Sequence, residues 1–225
     1  AEETRLMEEA HREEVQNKNR TRNYVIAGGL LSLLLAGGIF NRLRSTRKSK
    51  AALQVEKDRS ENLLLNILPA EIAEELKQKG RADARDFDMV SILFSDFKGF
   101  TEASSSIAAQ DLVSEINTCF EAFDGIMARS GVEKIKTIGD AYMAAGGLPV
   151  PTDDAVRNTV LAALQMQDFI ARRREVNHAQ GKPAFEMRVG IHTGPVVAGI
   201  VGVKKFQYDI WGDTVNTASR METNG

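Results

Sequence analysis

The chain has 225 residues, of which 43% are hydrophobic and 27% are charged, with a net charge of −2 and a pI near 6.0. This length allows one domain with a hydrophobic core and additional segments, and the nearly balanced charge argues against nucleic-acid binding. A single cysteine, Cys119, excludes an internal disulfide framework, and its apolar-rich surroundings predict a small buried side chain.

The N-terminal part reads as a polar segment followed by a membrane span. Residues 1–22 are almost wholly polar and predict a solvated helix, either an extracytoplasmic tail or the end of an upstream domain. Residues 23–41 carry no charge, and at about 1.5 Å per helical residue they approach the minimum length for crossing hydrocarbon. A buried soluble helix is one alternative. A signal peptide is another, but it does not normally follow 22 polar residues.

The charges around residues 23–41 predict an orientation. Five basic residues and no acid follow within ten positions: Arg42, Arg44, Arg47, Lys48 and Lys50. Only three basic residues lie shortly before the segment: Lys18, Arg20 and Arg22. Because positive charge is retained in the cytoplasm, we predict a single-pass inner-membrane protein whose C-terminal part is cytoplasmic.

Residues 42–84 predict a helical juxtamembrane linker. Pro69 lies inside the helical pattern and should divide it into two parts, because proline lacks the donor that a continuous helix needs. We expect this signalling helix to be a conduit from the membrane to the globular part of the chain.

From residue 85 onward the pattern alternates between helices and strands. Helices are predicted over residues 108–128 and 154–174 and from residue 214 to 222. Strands are predicted over residues 89–94, 132–136, 141–145, 187–192 and 196–201, the last two separated by a turn at Thr193-Gly194-Pro195. This mixture predicts an α/β (α+β) domain with a sheet covered on one face.

Two aspartates are candidates for holding a metal ion. Asp96 follows an apolar strand and precedes Gly99, and Asp140 lies between two strands directly after Gly139. Carboxylates beside glycines at strand ends are typical of sites where hard cations meet phosphates. Asp96 as a helix cap and Asp140 as a hairpin turn residue are the alternatives.

A third cluster lies at residues 208–220. Asn216 and Arg220 are four residues apart, so on a helix they share one face. An asparagine can orient a hydroxyl and an arginine can neutralise phosphoryl charge, although this spacing alone is not specific.

Four segments together resemble the class III adenylyl/guanylyl cyclase catalytic domain in order and spacing. They are SDFKGFT at 95–101, EKIKTIGDAYMAAGG at 133–147, MRVGIHTGPVVAGIVG at 187–202 and QYDIWGDTVNTASRME at 207–222. The resemblance covers residues 85–225, and NLLLNILPAEIAEEL at 62–76 resembles the helix that precedes this domain in membrane-linked members.

The resemblance implies a ferredoxin-like fold that acts as a head-to-tail homodimer with active sites shared across the interface. It implies two divalent metal ions, Mg²⁺ or Mn²⁺, held by Asp96, Asp140 and the carbonyl of Phe97. One ion would activate the ribose 3′-hydroxyl, and the other would hold the triphosphate. Backbone amides would cradle phosphate at five consecutive residues: Phe97, Lys98, Gly99, Phe100 and Thr101. Asn216 would orient the ribose, and Arg220 would stabilise the transition state.

The resemblance also implies a preference for the base. Lys136 and Asp209 match the positions that contact adenine in adenylyl cyclases, whereas guanylyl cyclases carry Glu and Cys there. A lysine can donate to adenine N1 and an aspartate can accept from the 6-amino group, whereas guanine reverses both features. The predicted substrate is therefore ATP, and the predicted function is adenylyl cyclase.

Two alternatives remain open. One is a guanylyl cyclase, and the other is a catalytically silent module for dimerisation or signal relay. The presence of Asp96, Asp140, Asn216 and Arg220 opposes the second alternative. The end of the sequence at Gly225 favours it, because family domains continue through several more strands and a lysine that contacts the triphosphate. On this basis we expect the catalytic domain at residues 85–225 to be C-terminally incomplete.

Overall fold

The computed structural model describes residues 2–104, 107–182, 184–202 and 206–225. It contains two compact units, residues 1–62 and residues 63–225. Helix α1, Glu2–Leu65, contains a stretch long and apolar enough to cross a membrane, with exposed side chains. Core helices of soluble proteins and signal sequences also meet this criterion of length and composition, so the helix is a weak sign of a span.

The helical linker is divided at Pro69, as predicted. α1 ends at Leu65, and α2, Ala70–Lys79, begins directly after Pro69. A proline is tolerated there because the first N–H groups of a helix have no intrahelical acceptor. α2 ends at Gly80, whose φ of 71° is left-handed and whose N–H donates to the carbonyl of Leu76 at 2.9 Å.

The remaining elements build one antiparallel sheet with helices on it. In chain order they are β1 Arg85–Lys98, α3 Phe100–Ser104, α4 Ala109–Ser130, β2 Val132–Ile138, β3 Ala141–Gly146, α5 Ala155–Ala179, β4 Glu186–Val201, β5 Gln207–Trp211 and α6 Asp213–Thr223. The strand order is β2-β3-β1-β4-β5. The β1-α4-β2-β3-α5-β4 part is the predicted ferredoxin-like α+β arrangement.

The prediction that helices cover one face of the sheet is wrong. Side chains alternate along β1, so that Leu93 and Phe97 lie in a buried cluster with α4 and α5, whereas Ile92 and Phe94 lie in a second buried cluster. The second cluster includes Ile72 and Ala73 of α2 and Ala218 of α6. The sequence pattern missed this layer because α2 and α6 are short and bury few residues.

The predicted turn at Thr193-Gly194-Pro195 is also wrong, because β4 runs through it without interruption. Gly194 pairs with Val90 and Val196 pairs with Phe87, so two residues of β1 lie opposite Pro195 alone. This β-bulge accommodates the proline, which has no N–H to give to a ladder of hydrogen bonds.

Helix α6 packs directly on the backbone of β4 at Gly190. A Cβ atom added at Gly190 would lie 2.6 Å from the carbonyl oxygen of Ala218 and would overlap the backbone nitrogen of Glu222. The absence of a side chain at this position therefore sets how closely α6 approaches the sheet.

We predict that Gly190→Ala lowers the free energy of unfolding by about 1–3 kcal/mol, because α6 must move away from β4 to make room. Chemical denaturation of the full-length protein measures this. Gly125→Ala is the matched control, since its Cβ would meet only the flexible end of Arg129 at 3.2 Å within α4, and it should be neutral or stabilising. Equal stability of Gly190→Ala and the wild type would contradict this packing.

Candidate active site

The two candidate metal aspartates come together through the pairing of β1 with β3. Asp96 lies near the end of β1, and Asp140 lies in the tight turn between β2 and β3 after Gly139, whose φ is 63°. Ser95 pairs with Tyr142, which brings the turn alongside the residues that follow Ser95. Because Phe97 points into the cluster under α4 and α5, the Asp96 side chain projects to the opposite face.

The carboxyl groups of Asp96 and Asp140 interact with each other. Burial, the neighbouring Asp96 and the negative charge of Glu222 together raise the pKa of Asp140 to about 6, against the lowering effect of a hydrogen bond from its own backbone N–H. A carboxyl group with this pKa resists ionisation beside a like charge. A cation bound between the two aspartates would relieve that repulsion.

The carboxylate oxygens of Asp96 and Asp140 suit a hard divalent cation that also has a ligand from outside the protein. Asp96 and Asp140 offer carboxylate oxygens, which Mg²⁺ and Mn²⁺ prefer. Within the described residues, no group of three or more His, Cys, Asp or Glu side chains is arranged to hold a metal. Two protein carboxylates leave coordination positions for a phosphate, as is usual for Mg²⁺ in nucleotide sites.

Arg188 is a cation of this site that the sequence reasoning missed. It lies on β4 opposite Asp96, and its Nη2 donates to Asp96 Oδ2 at 3.1 Å. Its Nε lies 3.2 Å from Oε1 of Glu222 on α6. The signal was a cross-strand pair of opposite charges, which is visible only once the pairing of β1 with β4 is known.

The predicted phosphate segment, residues 97–101, follows directly on Asp96. β1 ends at Lys98, Gly99 turns the chain with a φ of 69°, and α3 begins at Phe100. Phe97 is buried, and its ring lies 5.5 Å from that of Phe185, which in turn lies 5.8 Å from the ring of Phe100. Aromatic packing therefore fixes both sides of the glycine turn. Lys98 is exposed, and Thr101 lies in α3.

Lys136 and Asp209 come from the two edge strands of the sheet and meet. Lys136 Nζ lies 2.5 Å from Asp209 Oδ2, and both side chains are largely shielded from solvent. A bulge in β2 contributes, since Lys134 pairs with Ala144 and Lys136 with Met143, which leaves Ile135 unpaired. Asp209 also accepts from the backbone N–H of Ile210 at 2.9 Å, which limits its rotation.

Asn216 and Arg220 lie on the outer face of α6. Both are exposed, whereas Thr214, Ala218 and Glu222 on the opposite face are buried against the sheet. Thr214 Oγ1 donates to the carbonyl of Pro195 at 2.6 Å and fixes the start of the helix. In the part of the chain that the structure describes, no hydrogen bond or ion pair joins Asn216 or Arg220 to Asp96 or Asp140.

The predicted site residues therefore form three groups within one chain: the aspartates with Arg188, the Lys136–Asp209 pair, and the outer face of α6. The described residues contain no direct polar contact between these groups. The first group suits a metal-bound phosphate, the second suits a base, and the third suits ribose and phosphoryl charge.

Comparisons with known proteins show what the chain is similar to. Residues 82–225 match the family model described as the adenylate and guanylate cyclase catalytic domain. An adenylate cyclase of Mycobacterium tuberculosis is 46% identical over 182 residues, which cover 80% of this chain and 40% of that protein. The guanylate cyclase soluble subunit beta-2 of Rattus norvegicus is 42% identical over 173 residues, covering 77% of this chain and 25% of that protein. The chain thus spans well under half the length of these relatives.

A solved structure shares the fold. The crystal structure of the adenylyl cyclase CyaB from P. aeruginosa superimposes with a TM-score of 0.60 at 30% sequence identity, covering 63% of this chain and 74% of that one. The predicted cyclase catalytic-domain fold is thereby confirmed.

We predict that Asp140→Asn raises the melting temperature of the metal-free protein by about 2–4 °C near neutral pH. The folded-state pKa of Asp140, about 6, exceeds the usual aspartate value of about 3.9. The folded protein therefore binds more protons than the unfolded protein between these values, and stability falls as pH rises through this window. An asparagine cannot ionise, so the variant does not lose this stability as the pH rises.

The measurement is a thermal melt in chelator between about pH 4 and pH 7.5, the range in which Asp140 titrates. The advantage of Asp140→Asn should shrink towards the acid end, and Mn²⁺ should stabilise the wild type more than the variant. Asp153→Asn, an exposed loop substitution, is the control. A lower melting temperature for Asp140→Asn near neutral pH without metal would refute the repulsion between the two carboxylates.

Proposed function

The chain belongs to the adenylate and guanylate cyclase catalytic domain family, and we propose that it is an adenylyl cyclase. It converts ATP to 3′,5′-cyclic AMP and pyrophosphate at sites shared between two copies of the chain. In this reaction the ribose 3′-oxygen forms a bond to the α-phosphorus while the bond to the departing pyrophosphate oxygen breaks.

Asp96, Asp140 and the carbonyl of Phe97 hold two divalent cations in this proposal. Bound Mg²⁺ or Mn²⁺ would lower the pKa of the 3′-hydroxyl and neutralise charge on the triphosphate. The interacting carboxyl groups of Asp96 and Asp140, with the raised pKa of Asp140, support this role because they form a site that favours a cation. Arg188, 3.1 Å from Asp96, adds a positive charge where the phosphates would lie.

Lys136 and Asp209 select adenine. The lysine donates to ring N1 and the aspartate accepts from the 6-amino group. Their 2.5 Å contact and partial burial support this role, because the two groups are already together and desolvated where a base could join them. Guanine would present a donor to the lysine and an acceptor to the aspartate, which leaves both pairs unsatisfied.

Asn216 orients the ribose, and Arg220 stabilises the charge that develops on the α-phosphoryl oxygens. Both side chains face solvent on α6 and are not joined to the metal aspartates of their own chain. This separation is the observation that carries the proposal. A complete site requires Asp96 and Asp140 from one copy and Lys136, Asp209, Asn216 and Arg220 from the other, so a homodimer has two equivalent sites.

We further propose that residues 23–41 anchor the protein in the inner membrane as a single span. Residues 1–22 would be outside the cytoplasm, residues 42–84 would link the span to the catalytic domain, and residues 85–225 would be cytoplasmic. The uncharged stretch and the basic residues that follow it support this orientation.

Guanylyl cyclase activity is the second candidate, because relatives of both kinds have similar identity to this chain. We predict that the full-length protein uses ATP with a kcat/KM about 30-fold or more above that for GTP, since two mismatched buried polar groups cost about 1–3 kcal/mol each. Replacing both base-contacting residues, Lys136→Glu with Asp209→Cys, should lower the ratio below one.

Steady-state measurement of both cyclic products tests this preference. Lys182→Glu repeats the charge change of Lys136→Glu at an exposed position and should leave the ratio unchanged. Equal turnover of ATP and GTP by the wild type would exclude the assigned roles of Lys136 and Asp209.

We also predict complementation between two inactive variants. Asp140→Ala and Arg220→Ala should each lower kcat by about 100-fold or more when expressed alone. Co-expressed at equal levels, half of the dimers are mixed and each mixed dimer has one intact site, so activity should recover to about a quarter of the wild type.

The control pair is Asp140→Ala with Asp96→Ala, two variants that damage the same half of the site. No dimer of these chains contains an intact site, so their mixture should stay inactive. Recovery in the control pair, or none in the test pair, would contradict a site shared between chains.

A further inference from the structure

A second cavity lies away from the proposed active site, at the junction between the linker and the sheet. It has a volume of about 310 Å³ and lies between the segment 65–69 and the neighbouring parts of α4, β2 and β5. Its polar lining comes from Asn66, Asp124, Glu133, Lys134 and Tyr208, and we call it the Tyr208 cavity. None of the residues proposed to bind ATP lines it.

Tyr208 lines this cavity, and its hydroxyl is a buried polar group without a hydrogen-bond partner among the described residues. The residue is only 3% exposed. Buried tyrosine hydroxyls normally find a partner, because an unmade hydrogen bond is costly in a protein interior. Burial and the nearby charge of Glu133 raise the pKa of Tyr208 to about 12, so this hydroxyl stays protonated.

The charge in the cavity favours a cation. The carboxylate of Asp124 is already satisfied, since it lies 2.7 Å from Lys134 Nζ and accepts from Tyr142 Oη at 2.7 Å. Glu133 forms no ion pair within the described residues, and burial together with the charge of Glu71 raises its pKa. Leu65, the last residue of α1, lines the cavity, and the last turn of α1 contains no basic residue to offset the negative end of the helix dipole there.

The side chains around the cavity favour an organic cation over a divalent metal ion. A divalent metal needs several hard oxygen ligands, and the described residues provide no group of three or more acidic, histidine or cysteine side chains for one. An anion would be repelled by the carboxylate of Glu133. An ammonium or guanidinium group instead donates hydrogen bonds to a carboxylate and to a phenolic oxygen at once.

We propose that the Tyr208 cavity binds a small organic cation through an ammonium or guanidinium group that donates to Glu133 and to Tyr208. A volume of about 310 Å³ is at the small end of ligand pockets, which suits a short alkylammonium or alkylguanidinium ion. The cavity adjoins both base-contacting strands, because Tyr208 precedes Asp209 and Ile135 precedes Lys136.

Thermal unfolding of the full-length protein in detergent tests the site without relying on turnover. The probes are n-butylammonium and n-butylguanidinium, with neutral n-butanol as the matched control. At saturation the cations should raise the melting temperature of the wild type by about 2–4 °C, and n-butanol should not. Tyr208→Phe and Glu133→Gln should abolish the shift, whereas Tyr24→Phe and Glu121→Gln should retain it.

A second measurement uses the same variants without a probe. Tyr208→Phe keeps the ring and removes only the unpartnered hydroxyl, so its melting temperature should equal or exceed that of the wild type. A lower melting temperature would mean that the hydroxyl has a partner in the folded protein and would overturn the proposal. Three further results would overturn the proposal: an equal rise in melting temperature with n-butanol, no rise with either cation, or a rise that persists in both Tyr208→Phe and Glu133→Gln. Neither measurement depends on cyclase activity.

Discussion

The carboxyl groups of Asp96 and Asp140 interact with each other at the end of the β1–β3 pairing, where Ser95 lies opposite Tyr142. Such a pair is unfavourable in a folded protein unless something positive shares it. Arg188 neutralises part of the charge on Asp96 from the opposite strand, yet the pKa of Asp140 remains raised to about 6. The fold thus keeps an excess of negative charge at Asp96 and Asp140. A divalent cation bound there together with a phosphate would neutralise this charge.

The other elements can be understood from their positions around these aspartates. Gly99 and the rings of Phe97 and Phe185 shape the segment that leaves Asp96. Gly190 lets α6 lie against β4, which brings Glu222 near Arg188 on one face of the helix and leaves Asn216 and Arg220 exposed on the other. One helix therefore supports the aspartates of its own chain, and in the proposed homodimer its outer face would meet a second copy.

Much of the fold followed from local pattern. The breaking of the linker helix at Pro69 and the boundaries of α4 within two residues were predicted because proline chemistry and apolar periodicity are local properties. Pro195 misled the prediction, because its tolerance inside β4 depends on a bulge in β1, a strand about a hundred residues earlier. The helices on the second face of the sheet were not predicted, because α2 and α6 bury too few side chains to give a clear apolar periodicity in the sequence.

The same distinction applies to the site. Asp96, Asp140, Lys136, Asp209, Asn216 and Arg220 were identified from motifs, and their assigned roles remain predictions. Arg188 was missed, because it belongs to the site through its hydrogen bond to Asp96 on a neighbouring strand, and no local sequence pattern reveals that pairing. The unpartnered hydroxyl of Tyr208 is likewise a property of packing, since it becomes notable only when its burial and surroundings are known.

The most direct measurement of the central claim is the product formed from ATP by the full-length protein in membranes with Mn²⁺ or Mg²⁺, identified by mass spectrometry. The proposed function predicts 3′,5′-cyclic AMP and pyrophosphate in equal amounts, formed only when a divalent cation is present and lost in Asp140→Ala. Formation of no cyclic nucleotide, or cyclic AMP formation that persists unchanged in Asp140→Ala, would contradict it.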